Sequence, residues 1–233
     1  MKEKKHKIIK RIVLALVIVL LLGIIGFLVW ALDTYKPDAT AIEALNQDNV
    51  EILDGVIAVY SDVESDEAIM FYPGGQVEYE SYLPLLQKLQ KELNLTCVMV
   101  KMPLNMAIFN PNAGDKILKL FPNIKQWHLI GHSIGGVTAS MYANDNQDII
   151  KSLTVLGSYN YEEYPMDKTL TIYGSFNDNL EEEFTYDENI YVIEGGNHSM
   201  FGNYGLQKID VEGTISYEEQ QNQTVEIIKD FIF

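Results

Sequence analysis

Trp127-His128-Leu129-Ile130-Gly131-His132-Ser133-Ile134-Gly135-Gly136 is the stretch on which the fold turns. Its first four residues form a short apolar run that reads as a buried strand, and residues 134–143 read as a helix. A serine carried on so tight a strand-to-helix turn needs neighbours without side chains, because a Cβ collides where the chain reverses. Gly131 and Gly135 stand two positions either side of Ser133. The turn also leaves the backbone N–H of Ile134 at a helix N-terminus, where developing negative charge is stabilised. Ser133 is therefore the candidate nucleophile and Ile134 a candidate oxyanion donor. The competing reading is a glycine-rich packing turn that carries an inert serine.

Working outward, strands and helices alternate on both sides of this junction. Ile52-Leu53 and residues 56–60 read as a hairpin with Asp54-Gly55 as its turn. Residues 68–72 read as a strand ending in Pro73-Gly74-Gly75. Tyr82, Leu85, Leu86, Leu89 and Leu93 recur at helical spacing over 79–93. Further strands are expected at 95–101, 153–156, 169–173 and 190–193, with helices at 113–121 and 217–232. Ser216 and Glu219 have capping-box spacing at the start of the last helix. Continuous apolar strands separated by helices imply an α/β domain over 50–233 with a mostly parallel central sheet covered on both faces. No internal repeat or low-complexity tract interrupts it.

The charge is unevenly spread. Residues 1–11 carry six cations and one anion, and the other 222 residues carry 11 cations against 32 anions, a net charge of −21. Affinity for nucleic acid rests on neutralising phosphates with Lys and Arg, so that class is excluded. One Cys excludes a disulfide framework and a thiolate metal cluster. From Ile12 to Leu32 no residue is charged or carries an amide. At about 1.5 Å per residue that run reaches about 30 Å, the thickness of a hydrocarbon core. With six cations before it and Asp33 and Asp38 after it, the positive-inside rule keeps residues 1–11 cytoplasmic and places the body across the membrane. The alternative is a cleaved secretory signal, whose apolar core is usually only about 7–15 residues. Residues 33–49, with Pro37, Asn46 and Asn49, read as a spacer.

The partners of Ser133 follow by elimination. A serine hydroxyl needs a base, usually a histidine oriented by a carboxylate. His6 precedes the membrane run, His128 lies inside a strand, and His132 is beside the serine on the turn. His198 alone lies downstream, in Gly195-Gly196-Asn197-His198 after a strand, where ligands gather in open α/β sheets. The chain order serine, acid, histidine points to a carboxylate between Ser133 and His198. Asp178, just past the strand 169–173, is the choice, with Glu194 and Asp167 as alternatives. The second oxyanion donor is expected at Gly75, with Gly74 next, because glycines let backbone N–H groups approach a substrate oxygen.

These residues, taken together, resemble the α/β-hydrolase superfamily, and in particular its small single-domain bacterial members related to dienelactone hydrolases. The resemblance runs from about Asp54 to the end of the chain. It rests on Phe71-Tyr72-Pro73-Gly74-Gly75, Gly131-His132-Ser133-Ile134-Gly135-Gly136, Tyr173-Gly174-Ser175 leading to Asp178, and Gly195-Gly196-Asn197-His198. It implies Ser133 as nucleophile, Asp178 as acid, His198 as base, and a cofactor-free hydrolase of esters or related acyl compounds. Two departures stand out: Asn179 follows the acid where many relatives have Gly, and Tyr72-Pro73-Gly74-Gly75 replaces a His-Gly pair. Dienelactone hydrolases proper use a Cys nucleophile, so Ser133 argues against their substrate. The 12 residues 157–168 are too short for a helical cap, so small or surface-accessible esters, or envelope acyl groups, are expected. Tyr159, Tyr161 and Tyr164 within them are candidates for an aromatic pocket wall, or for a surface turn. An acyltransferase or peptidase on the same triad, and a non-catalytic binding protein of the same fold, are the other classes.

Overall fold

The computed structural model describes residues 2–162, 164–177 and 180–233, and they fall into two units that meet in the chain between Thr34 and Tyr35. The first is one helix, α1 (Lys2–Leu32), long and apolar enough to cross a membrane, with its large apolar side chains exposed.

The second unit opens with α2 (Ala39–Ala44), where a spacer was expected. Asp38 caps this helix by accepting from the Ala41 N–H at 2.9 Å, and Ala41 and Ala44 are buried. Tyr35 pairs with Val77 in a parallel bridge, through Tyr35 N–H to Gln76 carbonyl at 2.7 Å and Glu78 N–H to Tyr35 carbonyl at 3.0 Å. At its other side the same strap meets the C-terminal loops. Asp38 N–H donates to the Asn203 carbonyl (2.8 Å), Asn203 Nδ2 donates to the Asp38 carboxylate (3.2 Å), and Lys208 N–H donates to the Tyr35 hydroxyl (3.0 Å). Polar composition misleads over 35–49 because a capping Asp and small buried alanines hold the segment down, not a large apolar face.

The sheet follows in chain order: β1 (Val50–Leu53), β2 (Val56–Val59), β3 (Glu67–Tyr72), β4 (Thr96–Val100), β5 (Gln126–His132), β6 (Ile150–Leu156), β7 (Thr169–Gly174) and β8 (Ile190–Ile193). Their spatial order is β1-β2-β4-β3-β5-β6-β7-β8, with β2 antiparallel to both its neighbours, β1 and β4, and every other pair parallel. Asp54 and Gly55 turn the β1–β2 hairpin with φ of 48° and 75°, the left-handed pair that a two-residue turn matching strand twist demands. The remaining helices are α3 (Leu83–Leu93), α4 (Gly114–Leu120), α5 (Ile134–Asp145) and α6 (Tyr217–Ile232). The helix expected over 79–93 begins instead as a 3₁₀ turn at Tyr79–Tyr82. Pro84 has no N–H to give to an earlier turn, so the α-helix can only start beside it.

Alternation along the strands divides the core. Ile69 and Phe71 point to a layer shared with Leu85, Leu89 and Ile228 of α3 and α6. Ala68, Met70 and Tyr72 point to the other, with Ile117, Ala139 and Tyr142 of α4 and α5. Burying each large apolar side chain on either face contributes roughly 1.5–3 kcal/mol. Because β3 lies between β4 and β5, the chain leaves β3 towards one edge and later returns on its other side. That reversal opens a crevice at the carboxyl ends of β3 and β5, where ligands bind in sheets of this kind.

Ser216 caps α6 by accepting from the Glu219 N–H at 3.1 Å. Ser216→Ala leaves that amide without its partner and is expected to lower stability by about 1 kcal/mol, read from urea unfolding of the full chain. An unchanged midpoint would show that water replaces the cap at no cost.

Candidate active site

Two pairs of loops leave the sheet at the crevice side by side, and register sets both. Tyr72 at the end of β3 pairs with Gly131 of β5, so the Pro73-Gly74-Gly75 loop and the Ser133 turn emerge together. Gly174 at the end of β7 pairs with Ile193 at the end of β8, so residues 175–177 and 194–198 emerge together.

Ser133 sits between β5 and α5 with φ 55° and ψ −129°, a left-handed conformation that costs a non-glycine residue about 1–3 kcal/mol. The turn is tight enough to need its glycines. A Cβ on Gly131 would lie 2.5 Å from the Gly135 carbonyl oxygen, and one on Gly135 would lie 2.4 Å from the carbonyl oxygens of Tyr72 and Pro73. The serine's own backbone is tied down by Ser133 N–H to Leu156 carbonyl at 3.0 Å and by the Ser158 hydroxyl to Ser133 carbonyl at 2.8 Å. Ile134 opens α5, so its N–H belongs to the first turn, where no carbonyl within the helix can accept it. Gly75 lies against Ile134: a Cβ there would stand 2.9 Å from Ile134 Cγ2. The Gly74 N–H, by contrast, is already given to the Tyr82 hydroxyl at 3.1 Å.

His198 and Ser133 line one pocket of about 460 Å³, together with Asn177, Phe176, Ile209 and Asp210. His198 Nδ1 meets Asn177 Oδ1 at 2.7 Å. An amide oxygen only accepts, so Nδ1 carries the ring proton and Nε2 keeps its lone pair, the form a general base requires. Burial lowers the His198 pKa from the ordinary histidine value, and the Asp210 carboxylate opposes that shift. Asp210 in turn accepts from the Ser199 hydroxyl, which itself accepts the Gln207 N–H at 2.9 Å.

Asp178, the expected acid, lies outside the described residues. Of its alternatives, Asp167 precedes β7 and so lies at the amino end of the strand, away from the crevice, and Glu194 is exposed just past β8. His128 is at the other end of β5, bonded to Ser152 (2.7 Å) and Glu67 (3.2 Å). His132 is fully buried beneath the site. The tyrosines of 157–168 do not wall this pocket. Tyr164 is a core residue whose hydroxyl donates to the Ile150 carbonyl at 2.6 Å, and among the described residues the wall is built instead by Phe176, Asn177, Leu180, Glu183, Gln207, Ile209 and Asp210. Asn177 and Asp210 were missed in the sequence: one is masked by the carboxylate next to it, and the other follows the histidine, outside the expected chain order. Among the described residues no group of three or more His, Cys, Asp and Glu side chains is arranged to hold a metal ion.

Solved structures share the architecture. Est1E from Butyrivibrio proteoclasticus superposes with a TM-score of 0.55 at 15% identity, covering 78% of this chain and 98% of that one. MenH from S. aureus gives 0.56 at 11% identity, covering 78% and 100%. The Pyrobaculum calidifontis esterase gives 0.55 at 14% identity, covering 83% and 89%. At such identities the likeness speaks for the fold alone. No curated protein sequence matches the chain. The profile of the alpha/beta hydrolase family matches residues 68–222, a span that runs from β3 to within α6 and takes in the Ser133 turn and the His198 loop, and the chain belongs to that family.

Proposed function

We propose that the chain is a serine hydrolase that cleaves an ester or related acyl bond through an acyl-enzyme on Ser133. The observation that carries this reading is the strained serine turn sharing one pocket with a histidine in its base tautomer. In this reading the Ser133 hydroxyl attacks the acyl carbonyl while His198 Nε2 takes its proton. The N–H groups of Ile134 and Gly75 hold the oxygen that becomes negative. Collapse expels the alcohol, protonated by His198, and a water activated by the same imidazole then releases the acid. Asp178 is the proposed acid that stabilises the imidazolium, and no cofactor takes part. The short 157–168 link favours small or surface-accessible acyl substrates, including envelope components. Kinship with the small bacterial hydrolases related to dienelactone hydrolases belongs to the same proposal. Acyl transfer or peptide cleavage would use the same groups.

Ser133→Ala is expected to reduce kcat on p-nitrophenyl esters by several orders of magnitude, leaving what binding and the oxyanion amides supply. Activity equal to the parent would refute the assignment. A second reading gives the orienting role to Asn177, because its amide is what meets His198 Nδ1. Asp178→Ala should cost about 10⁴-fold in kcat and Asn177→Ala less than about tenfold. The opposite order would transfer the role to the amide.

Catalysis needs neutral His198, so a lowered pKa extends activity towards acid. The acid limb of kcat/KM should be centred below about 6.5. Asp210→Asn removes the charge that opposes the shift and should move the limb to lower pH still. Movement to higher pH would show that Asp210 does not act on this imidazole.

For placement we propose that residues 12–32 anchor the protein in the cell membrane with the body outside, a cleaved signal being the alternative. Protease added to intact, wall-stripped cells should digest the body and spare a short stub in the membrane. Protection until lysis would invert the orientation, and a mature form starting near Leu32 would identify a cleaved signal.

A further inference from the structure

One chain of polar groups runs beneath the site, and its middle members, Tyr82 and His132, do not line the pocket. Its links are the Gly74 N–H to the Tyr82 hydroxyl (3.1 Å), that hydroxyl to His132 Nδ1 (2.8 Å), and His132 Nε2 to the backbone carbonyl of His198 (3.0 Å). Tyr82 and His132 are both fully buried. The direction of every link is forced. A carbonyl only accepts, so Nε2 must carry the proton. Burial and the neighbouring His198 hold the His132 pKa well below the ordinary value, so the ring is neutral and Nδ1 offers a lone pair. Tyr82 therefore donates to Nδ1, and its oxygen is left to accept the Gly74 N–H.

The two ends of this chain are the two parts of the site that must keep a fixed separation. Gly74 precedes Gly75 in the proposed oxyanion loop, and His198 is the proposed base. The middle is the residue next to the nucleophile. We propose that Tyr82 and His132 are positioning residues, a hydrogen-bonded relay that sets the oxyanion loop and the His198 backbone against Ser133. This rests on the serine-hydrolase reading. Neither residue touches substrate. They act by holding a donor where charge develops and a base where the proton leaves, and a misplacement of about 1 Å at such groups costs as much as 10²-fold.

Ring contacts place the relay rigidly. The Tyr82 ring packs on Phe71 with centroids 5.0 Å apart and beside Tyr204 at 6.1 Å, and the His132 ring lies 4.7 Å from that of His198 and 5.5 Å from Phe201. Tyr82→Phe keeps that packing and removes one oxygen, which disconnects Gly74 from His132. His132→Gln keeps one acceptor and one donor, and His132→Ala keeps neither.

The test uses the full-length chain in detergent, with competent sites counted by a fluorophosphonate that labels Ser133, so that loss of folded protein does not register as loss of rate. Tyr82→Phe should lower kcat per labelled site by about 10–100-fold with KM within about threefold of the parent. Affinity for a boronic acid, which mimics the tetrahedral intermediate, should fall in the same proportion as kcat. His132→Gln should retain at least about ten times the kcat of His132→Ala, and the Tyr82→Phe/His132→Ala pair should lose less than the product of the two single losses, since one chain is cut twice. A kcat per labelled site within twofold of the parent in both Tyr82→Phe and His132→Ala would overturn the relay, whatever the melting temperature does. A parent that is not labelled at Ser133 would overturn the serine-hydrolase reading, and the relay with it.

Discussion

Ser133 is held in a left-handed backbone conformation that an L side chain adopts only when its surroundings leave no alternative. Those surroundings reach well beyond the turn. The Gly135 Cα lies so close to the carbonyls of Tyr72 and Pro73 that α5 sits directly on the end of β3. The pairing of β3 with β5 fixes that approach, and the Ser133 N–H is given to β6. Three neighbouring strands and one helix thus converge on one residue. The strain is the condition under which a hydroxyl can stand clear of the sheet with a helix N-terminus beside it.

Around that residue the protein buries polar groups and leaves few of them unanswered. His132, Asn197, Ser199 and Gln220 are all buried and all hydrogen-bonded, several to the backbone of the loop that carries His198. Gln220 illustrates the point: its amide accepts the Asn197 N–H at 2.9 Å and donates to the Asn197 carbonyl at 2.9 Å, so α6 grips that loop through both backbone groups of one residue. Networks of this kind are rigid because each member left unpaired would incur its full desolvation cost. The loop around His198 has no regular structure beyond one 3₁₀ turn, and it is specified by side chains instead.

This division explains what was legible in the sequence. Strands such as Ala68–Tyr72 and the Gly131–Gly136 turn announce themselves through composition, since apolar runs and missing side chains have few other uses. The capping pair Ser216 and Glu219 was readable for the same reason. Asn177 and Asp210 were not, because an amide or a carboxylate in a loop is usually solvated, and only the folded chain reveals that it faces a histidine. Tyr164 misled in the opposite direction: an aromatic in a loop near the site turned out to fill the core under β6. The strap 35–49 was illegible because a capping Asp, two small buried alanines and scattered hydrogen bonds to distant residues hold it, and these leave no periodicity to detect.

That strap has a consequence for how the molecule comes into being. Asp38 and Asn203, which it joins, are 165 positions apart in the chain. At a synthesis rate of about 5–20 residues per second, the second partner emerges roughly 10–30 s after the first. Asp38 must therefore wait for Asn203 while β3, β5 and the serine turn are made. The Tyr35 backbone can pair early with Gln76 and Glu78, but its hydroxyl gains Lys208 only after the His198 loop has been made. Long-range contacts of this sort close last, after their loop entropy is offset by the rest of the structure. The strap's two attachments thus come from segments made far apart in time, and it is complete only after the His198 loop has been made.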